Sequence, residues 1–149
     1  MTTIVLQTEI NAPIQMVFDL SRSIDAHIQS ATQTNEKAID GITTGLIGLG
    51  ETVTWKGKHF GLWIKHQSRI TDFISPEFFA DEMEKGQFKS FRHEHYFSES
   101  NGKTLMTDNL CYQTPYGIFG KLFDELLLKK HLTDFLLNRN AFLKQAAES

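Results

Sequence analysis

The sequence predicts an α+β fold, in which a curved antiparallel β-sheet of six or seven strands wraps around one long C-terminal α-helix. Alternating apolar and polar residues recur in short runs between Thr52 and Gln113, which is typical of half-buried strands. Residues 118–146 instead repeat apolar side chains at spacings of three and four, which predicts a single long helix. A broad apolar helix face needs a large surface to cover it. A strongly curved sheet provides that surface and leaves a hollow where it bends.

The N-terminal part predicts one strand and two short helices after it. Residues 4–10 alternate in polarity, and Asn11-Ala12-Pro13 ends that strand and begins a helix, because proline is favoured in the first helical turn. Residues 14–28 carry the apolar spacing of the two short helices. Residues 29–38 lack periodicity and are predicted to be loop. Segment 41–51 contains four glycines, so we expect a mobile segment there that acts as a lid.

Composition limits the class of protein. A chain of 149 residues with 40% hydrophobic and 22% charged residues predicts a single globular domain over residues 1–149. The net charge is −3 and no block of lysine and arginine occurs, so we expect no nucleic-acid partner. Cys111 is the only cysteine, which is typical of a reducing compartment. No signal sequence or long apolar run is present, so we expect a cytoplasmic protein with no membrane span; a homodimer is compatible with the sequence.

Asn101-Gly102 predicts the register of a β-hairpin. This dipeptide between two alternating runs is the strongest short-range signal for a two-residue turn. If these two residues form the turn, His95 lies opposite Asp108 and Phe91 lies opposite Tyr112. Because strand side chains alternate between faces, one face of the hairpin collects eight residues. These are Phe91, His93, His95, Phe97, Met106, Asp108, Leu110 and Tyr112. A mostly apolar surface with a few polar groups is typical of a small-molecule pocket.

The pair His95 and Asp108 has three interpretations. Directly opposed residues have Cβ atoms about 4.5–5.5 Å apart, so the carboxylate can reach an imidazole nitrogen. The pair could be structural, because a polar pair on an apolar face must satisfy its own hydrogen bonds. It could contact the polar end of a ligand. It could also be catalytic, with His95 as a general base that Asp108 orients.

The sequence motifs give little support for a metal site or for nucleotide binding. His93 and His95 share a strand face and could join His59, His66 or Asp108 around a metal, but these spacings match no standard zinc motif. The glycines of segment 41–51 form neither a dinucleotide fingerprint nor a phosphate-binding loop. We therefore expect no metal and no cofactor.

The chain resembles the helix-grip superfamily of START and pollen-allergen-like domains (SRPBCC). Within it, the chain resembles small bacterial ligand-binding proteins grouped with polyketide cyclases and dehydrases, some of them labelled cell-division inhibitors. The resemblance lies in INAPIQMVFDL (10–20), GITTGLIGLGETVTWKGKHFG (41–61), RITDFISPEFFADEMEKGQFKSFRHEHYF (69–97) and GKTLMTDNLCYQTPYGIFGKLF (102–123). It implies a ligand cavity between the sheet and the C-terminal helix.

We therefore expect the protein to bind a hydrophobic or aromatic small molecule, without being an enzyme. The expected ligand-binding residues are Trp55, His59, Phe91, His93, His95, Met106, Asp108, Tyr112, Phe119 and Phe123. One alternative is a cyclase or dehydratase acting on a polyketide-like substrate through His95 and Asp108. Another is an interaction module whose cavity is filled by the chain's own twelve phenylalanines.

Overall fold

A computed structural model describes residues Met1–Ser149 and has the predicted architecture. Seven antiparallel strands form one sheet in the order β1-β7-β6-β5-β4-β3-β2. The strands are β1 (Thr2–Ile10), β2 (Lys37–Gly41), β3 (Thr52–His59), β4 (Leu62–Ile74), β5 (Phe78–Lys85), β6 (Ser90–Ser100) and β7 (Lys103–Gln113). The helices are α1 (Ile14–Ser21), α2 (Ile24–Ser30), α3 (Gly117–Phe123) and α4 (Lys129–Glu148), with a short 3₁₀ turn at Thr32–Thr34. A π-helical turn, Asp124–Leu128, joins α3 and α4 into one continuous helix.

The β6–β7 hairpin has the register that its turn predicts. Ser100 pairs with Lys103, His95 with Asp108 and Phe91 with Tyr112. The backbone φ angles of Asn101 and Gly102 are 54° and 76°, which is the left-handed geometry that a two-residue hairpin turn requires.

Two segments predicted to be irregular are better ordered than expected. The loop predicted at 29–38 contains the end of α2, the 3₁₀ turn and the start of β2. This edge strand is short, mostly exposed and bulged, so it carries no alternating pattern. The segment 41–51 is held at its centre, because Ile47 is buried and its amide donates to the carbonyl of Arg22. That contact is at odds with a freely mobile lid.

The C-terminal helix does not bury one continuous apolar stripe, and this part of the prediction is wrong. The inward-facing positions recur every four residues, which a wider π turn accommodates better than a regular helix of 3.6 residues per turn. They are Gly120, Asp124, Leu128, Leu132 and Leu136. Phe119 and Phe123, expected to line the cavity, point outward instead, and Phe119 is 78% exposed. No helix is both long enough and apolar enough to cross a membrane.

Two contacts hold α3 in this orientation. A Cβ atom at Gly120 would lie 1.9 Å from the carbonyl oxygen of Pro115, so only glycine permits the close approach of helix and chain there. The buried Asp124 accepts hydrogen bonds from the hydroxyls of Tyr112 and Thr2, each at 2.5 Å. The inward face of α3 is therefore small and polar, and its apolar residues lie on the other side.

The apolar core occupies two regions. The larger one packs α1, α2 and the end of α4 against the sheet around Phe18, whose ring makes edge contacts with Phe73, Phe79 and Phe97 at 5.3–5.5 Å. The smaller one packs the start of α4 against β1 and β7. Its buried members are Ile4, Leu110, Tyr112, Leu128 and Leu136.

Candidate functional site

The concave face of the sheet, which faces α4, collects all six histidines of the chain. Four come from β3, β4 and β6, one from α2 and one from α4, and each contacts another group on this face. They are His59, His66, His93, His95, His27 and His131. No single motif gathers them, because their elements are far apart in the chain.

Asp108 is the centre of a buried polar network. Its side chain is fully buried, and both carboxylate oxygens accept hydrogen bonds. His93 Nε2 donates to Oδ1 at 2.8 Å, and Arg139 Nη1 donates to the same oxygen at 3.2 Å. Asn140 Nδ2 donates to Oδ2 at 2.8 Å. We call the following residues the central cluster: Asp81, His93, His95, Asp108, Arg139 and Asn140.

His95 makes its short contact with a carboxylate other than that of Asp108, which lies directly opposite it in the hairpin. His95 Nε2 lies 2.8 Å from Asp81 Oδ2 on β5, whereas its Nδ1 is 3.5 Å from Asp108 Oδ1. The short contact of Asp108 is with His93, one pair further along the hairpin. The imidazole rings of His93 and His95 stack with centroids 3.8 Å apart. The expected His95–Asp108 pair is therefore part of a larger network.

Sequence reasoning missed Asp81 and Arg139 for two reasons. The loop between β5 and β6 carries no turn motif that sets their register, so nothing indicated that Asp81 lies opposite His93. Arg139 projects from the inward face of α4, on a helix whose inward face was expected to be apolar. A buried charge pair of this kind leaves little signal in hydrophobic periodicity.

The central cluster carries ionised carboxylates beside a neutral imidazole at neutral pH. Burial alone would raise the pKa of Asp108, but His93, His95 and Arg139 outweigh burial and hold it well below its usual value. Burial also tends to raise the pKa of Asp81, but the contact with His95 lowers it by more, so the net shift is downward. Burial lowers the pKa of His93. Two carboxylates therefore face one guanidinium, and the cluster has an excess of negative charge unless an imidazole takes up a proton.

A second group of polar side chains, the outer cluster, lies beside the first half of α4 and consists of His27, Glu36, His59 and His131. His59 Nδ1 is 2.9 Å from His131 Nε2, and His59 Nε2 is 3.5 Å from Glu36 Oε2. Burial raises the pKa of Glu36, but the nearby rings of His27 and His59 lower it more, to about 2. The buried Nε2 of His27 has no hydrogen-bond partner in the protein, and its ring lies 4.1 Å from that of Trp55.

Gly57 makes room for Glu36. A Cβ atom at Gly57 would lie 1.8 Å from Glu36 Oε2. The side chain of the glutamate occupies the space that the missing Cβ atom leaves. The outer cluster also borders a cleft of about 420 Å³ between residues 29–34 and α4, whose wall includes His131 and Phe135.

Solvent reaches the concave face on the β3–β5 side. The side chains of Asp81 and His59 are 18% and 20% exposed, although both face α4. Trp55, His66 and Phe91 are also only partly buried. The β1–β7 side is filled by the smaller apolar core. The accessible part of the concave face therefore consists of partly exposed side chains on β3, β4, β5 and β6.

The predicted binding residues divide into three groups by position. Trp55, His59 and Phe91 lie on the accessible part of the concave face. His93, His95 and Asp108 are buried in the central cluster, while Met106 and Tyr112 are fully buried core residues. Burial and the hydrogen bond to Asp124 also raise the pKa of the Tyr112 hydroxyl. Phe119 and Phe123 lie outside, as described above.

Three residues have ligand atoms close enough to hold a metal ion. The donor atoms of Asp81, His93 and His95 lie within 4.8 Å of one another. Within the cluster, however, His95 Nε2 already contacts Asp81 and His93 Nε2 already contacts Asp108. The guanidinium of Arg139 lies 3.5 Å from His95 Nδ1, and this positive charge opposes a second cation.

Comparison with known proteins identifies the fold. No family model and no curated protein matches the sequence. Among solved structures, TTHA0849 from Thermus thermophilus is 16% identical, with coverage of 99% of this chain and 100% of that one, and a TM-score of 0.76. The ginseng major latex-like protein 151 from Panax ginseng is 16% identical, with coverage of 99% and 98% and a TM-score of 0.73. Protein CV1439 from Chromobacterium violaceum is 10% identical, with coverage of 99% and 97% and a TM-score of 0.74. The chain thus shares its helix-grip fold with these three proteins.

Proposed function

We propose that the protein binds a small molecule between the concave face of the sheet and α4, with the ligand's polar end on Asp81. The observation that carries this proposal is the accessibility of Asp81. It is the member of the central cluster that combines an ionised carboxylate with a partly exposed side chain. A few well-placed polar groups on a mostly apolar wall are what fixes a small ligand's orientation.

The charges of the central cluster favour a hydrogen-bond donor on the ligand. Asp81 and Asp108 place two carboxylates in the cluster, where Arg139 is the one guanidinium. A ligand carboxylate would add a third negative charge beside them, whereas a hydroxyl or an amine would donate a hydrogen bond to Asp81. Such a charge-assisted bond contributes about 1.5–3 kcal/mol.

The ligand's body is apolar or aromatic. Phe91 and His66 form an edge contact with ring centroids 4.8 Å apart, and Trp55 lies on the neighbouring strand, opposite His66. Burial lowers the pKa of His66, so its ring is neutral and contributes an aromatic surface. An aromatic ligand is also what the sequence predicts. The present proposal adds that this ligand carries a hydrogen-bond donor.

The geometry does not favour the catalytic alternative. A general base needs a free lone pair directed at the substrate. In His95, Nε2 contacts Asp81 and Nδ1 faces Arg139 at 3.5 Å. Both ring nitrogens are therefore occupied by neighbours within the protein.

Two simple aromatic probes test the proposal by isothermal titration calorimetry. We expect 1-naphthol, which donates a hydrogen bond, to bind more tightly than 1-naphthoate, which is an anion of similar size. Asp81→Asn should weaken 1-naphthol binding about tenfold, because one charge-assisted hydrogen bond becomes a neutral one.

The neighbouring residue provides the matched control. Glu82 is also acidic and lies on the same strand, but its side chain is 43% exposed on the opposite face of the sheet. Glu82→Gln should leave naphthol binding unchanged. Equal binding of both probes, or equal weakening by both substitutions, would contradict the role of Asp81.

A further inference from the structure

The apolar stripe of α3 and the π turn faces solvent. Its side chains recur at positions that share the outward face, while Gly120 and Asp124 occupy the inward face. Their exposed fractions range from 39% to 78%, which is unusual for six large apolar residues on a single helix face. They are Ile118, Phe119, Leu122, Phe123, Leu126 and Leu127.

The tip of the β3–β4 hairpin extends this surface. Phe60, Leu62 and Trp63 are 47%, 66% and 51% exposed. The ring of Phe60 lies 5.3 Å from that of Phe123, so the hairpin and the helix form one continuous patch. We call the hairpin tip, Tyr116 and the outward stripe together the apolar end.

Two aromatic residues of the apolar end occupy backbone positions that suit other residues better. Phe60 and Tyr116 have φ angles of 52° and 69°, and each is followed by a glycine that also has a positive φ. At the equivalent position of the β6–β7 hairpin the chain has Asn101, which tolerates this left-handed geometry. Tyr116 is 82% exposed, so packing within the chain does not account for the aromatic ring.

Lysines are frequent in the segments that form the apolar end, although the chain as a whole is acidic, with a net charge of −3. The hairpin segment 54–65 contains three lysines and no acidic residue, and Lys56 lies 5.6 Å from the ring of Trp63. Segment 117–130 contains three more lysines, against Glu125 and the buried Asp124. The lysines are Lys56, Lys58, Lys65, Lys121, Lys129 and Lys130, of which Lys130 is paired with Asp134 at 2.6 Å.

We propose that the apolar end docks onto an anionic lipid surface. Aromatic and aliphatic side chains enter the boundary between headgroups and acyl chains, and lysines at the rim pair with anionic headgroups. A second copy of the chain fits this surface poorly, because a symmetric contact would bring the two lysine rims together. The proposal stands independently of the ligand site.

Sedimentation with lipid vesicles tests the proposal on the whole protein. We expect the wild type to bind vesicles of phosphatidylcholine and phosphatidylserine, to bind vesicles of phosphatidylcholine alone at least tenfold more weakly, and to lose affinity at high salt. Tyr116→Asn combined with Phe119→Ser should reduce binding to the anionic vesicles at least tenfold. Lys58→Glu combined with Lys121→Glu should have a similar effect.

Two controls distinguish a specific effect of the apolar end on vesicle binding from a general effect of surface hydrophobicity and from unfolding. Val5→Thr combined with Ile74→Thr changes two apolar residues that are 59% and 61% exposed on other parts of the sheet, and should leave vesicle binding unchanged. Tyr116→Asn should not lower the thermal stability, because asparagine suits the left-handed backbone.

Three results would overturn the proposal. One is failure of the wild type to bind anionic vesicles. Another is binding to both vesicle types that the lysine substitutions leave unchanged. The third is self-association in sedimentation velocity that Phe119→Ser abolishes, in the absence of vesicle binding, because the occupant would then be a second copy.

Discussion

Replacing Asp108 with alanine should lower the free energy of unfolding by about 3–5 kcal/mol. The carboxylate is fully buried and accepts hydrogen bonds from His93, Arg139 and Asn140. Its removal leaves the buried guanidinium of Arg139 without its carboxylate partner, and an uncompensated buried charge is far more costly than the pair. Urea unfolding followed by circular dichroism measures the effect.

The pair Asp72 and Arg92 is a matched control at the surface. Arg92 Nη2 donates to Asp72 Oδ2 at 2.9 Å, and the Asp72 side chain is 53% exposed. Asp72→Ala should cost about 1 kcal/mol or less. Asp108→Leu combined with Arg139→Met should recover much of the stability that Asp108→Ala loses, because the buried guanidinium is removed together with its carboxylate partner. Equal effects of Asp72→Ala and Asp108→Ala would show that the central cluster is not the buried network described here.

Stability should fall as the pH decreases from about 6.5 toward 2. Three histidines account for the decline that begins near pH 6.5, and Glu36 accounts for a further decline below pH 4.5. Burial lowers the pKa values of His66, His93 and His131, so these groups bind protons less readily in the folded protein than in the unfolded chain. Below about pH 6.5 the unfolded chain binds protons there that the folded protein does not, and stability is lost. At lower pH the protonation of Glu36 reduces the stability further, because its pKa in the folded protein is lowered from 4.5 to about 2.

Glu36 should account for about 3 kcal/mol of this acid sensitivity. Its contribution is present above pH 4.5 and is lost as the pH falls through about 2. Glu36→Gln should therefore flatten the dependence of unfolding free energy on pH below about 4.5, measured by urea unfolding at several pH values. Glu77→Gln changes an exposed glutamate and serves as the control. If the slope below pH 4.5 is the same in wild type and Glu36→Gln, the electrostatic description of the outer cluster is wrong.

Local signals predicted the sheet well because its turns and its alternation are encoded locally. Asn101-Gly102 specifies a two-residue turn, and this turn sets the pairing of all the residues in β6 and β7. The edge strand β2 was missed because an exposed, bulged strand has no side to bury and therefore no alternation.

For the C-terminal helix, the apolar periodicity of the sequence predicted the wrong buried face. The apolar stripe that includes Phe119 and Leu122 is real in the sequence, but Gly120 and Asp124 occupy the inward positions. The reasons are a close backbone approach at Pro115 and a buried hydrogen bond from Tyr112, both of which depend on tertiary contacts. A hydrophobic stripe marks a surface that contacts something apolar, and it does not specify that this is the protein's own core.

The candidate site was only partly predictable. The hairpin turn brought His93, His95 and Asp108 to one face of the sheet. Asp81 and Arg139, which decide the charge of the cluster, come from a strand and a helix whose registers are set by long-range packing. The proposed preference for a donor group on the ligand depends on these two residues and could not be derived from the hairpin alone.

Native mass spectrometry of the purified protein, followed by denaturing extraction, tests the central claim most directly. Wild type and Asp81→Asn would be compared after identical purification. We expect the wild type to carry a small apolar or aromatic molecule with a hydroxyl or amine group, and Asp81→Asn to carry less of it. An empty wild-type protein that also fails to bind 1-naphthol, or a bound molecule retained equally by Asp81→Asn, would contradict the proposed site.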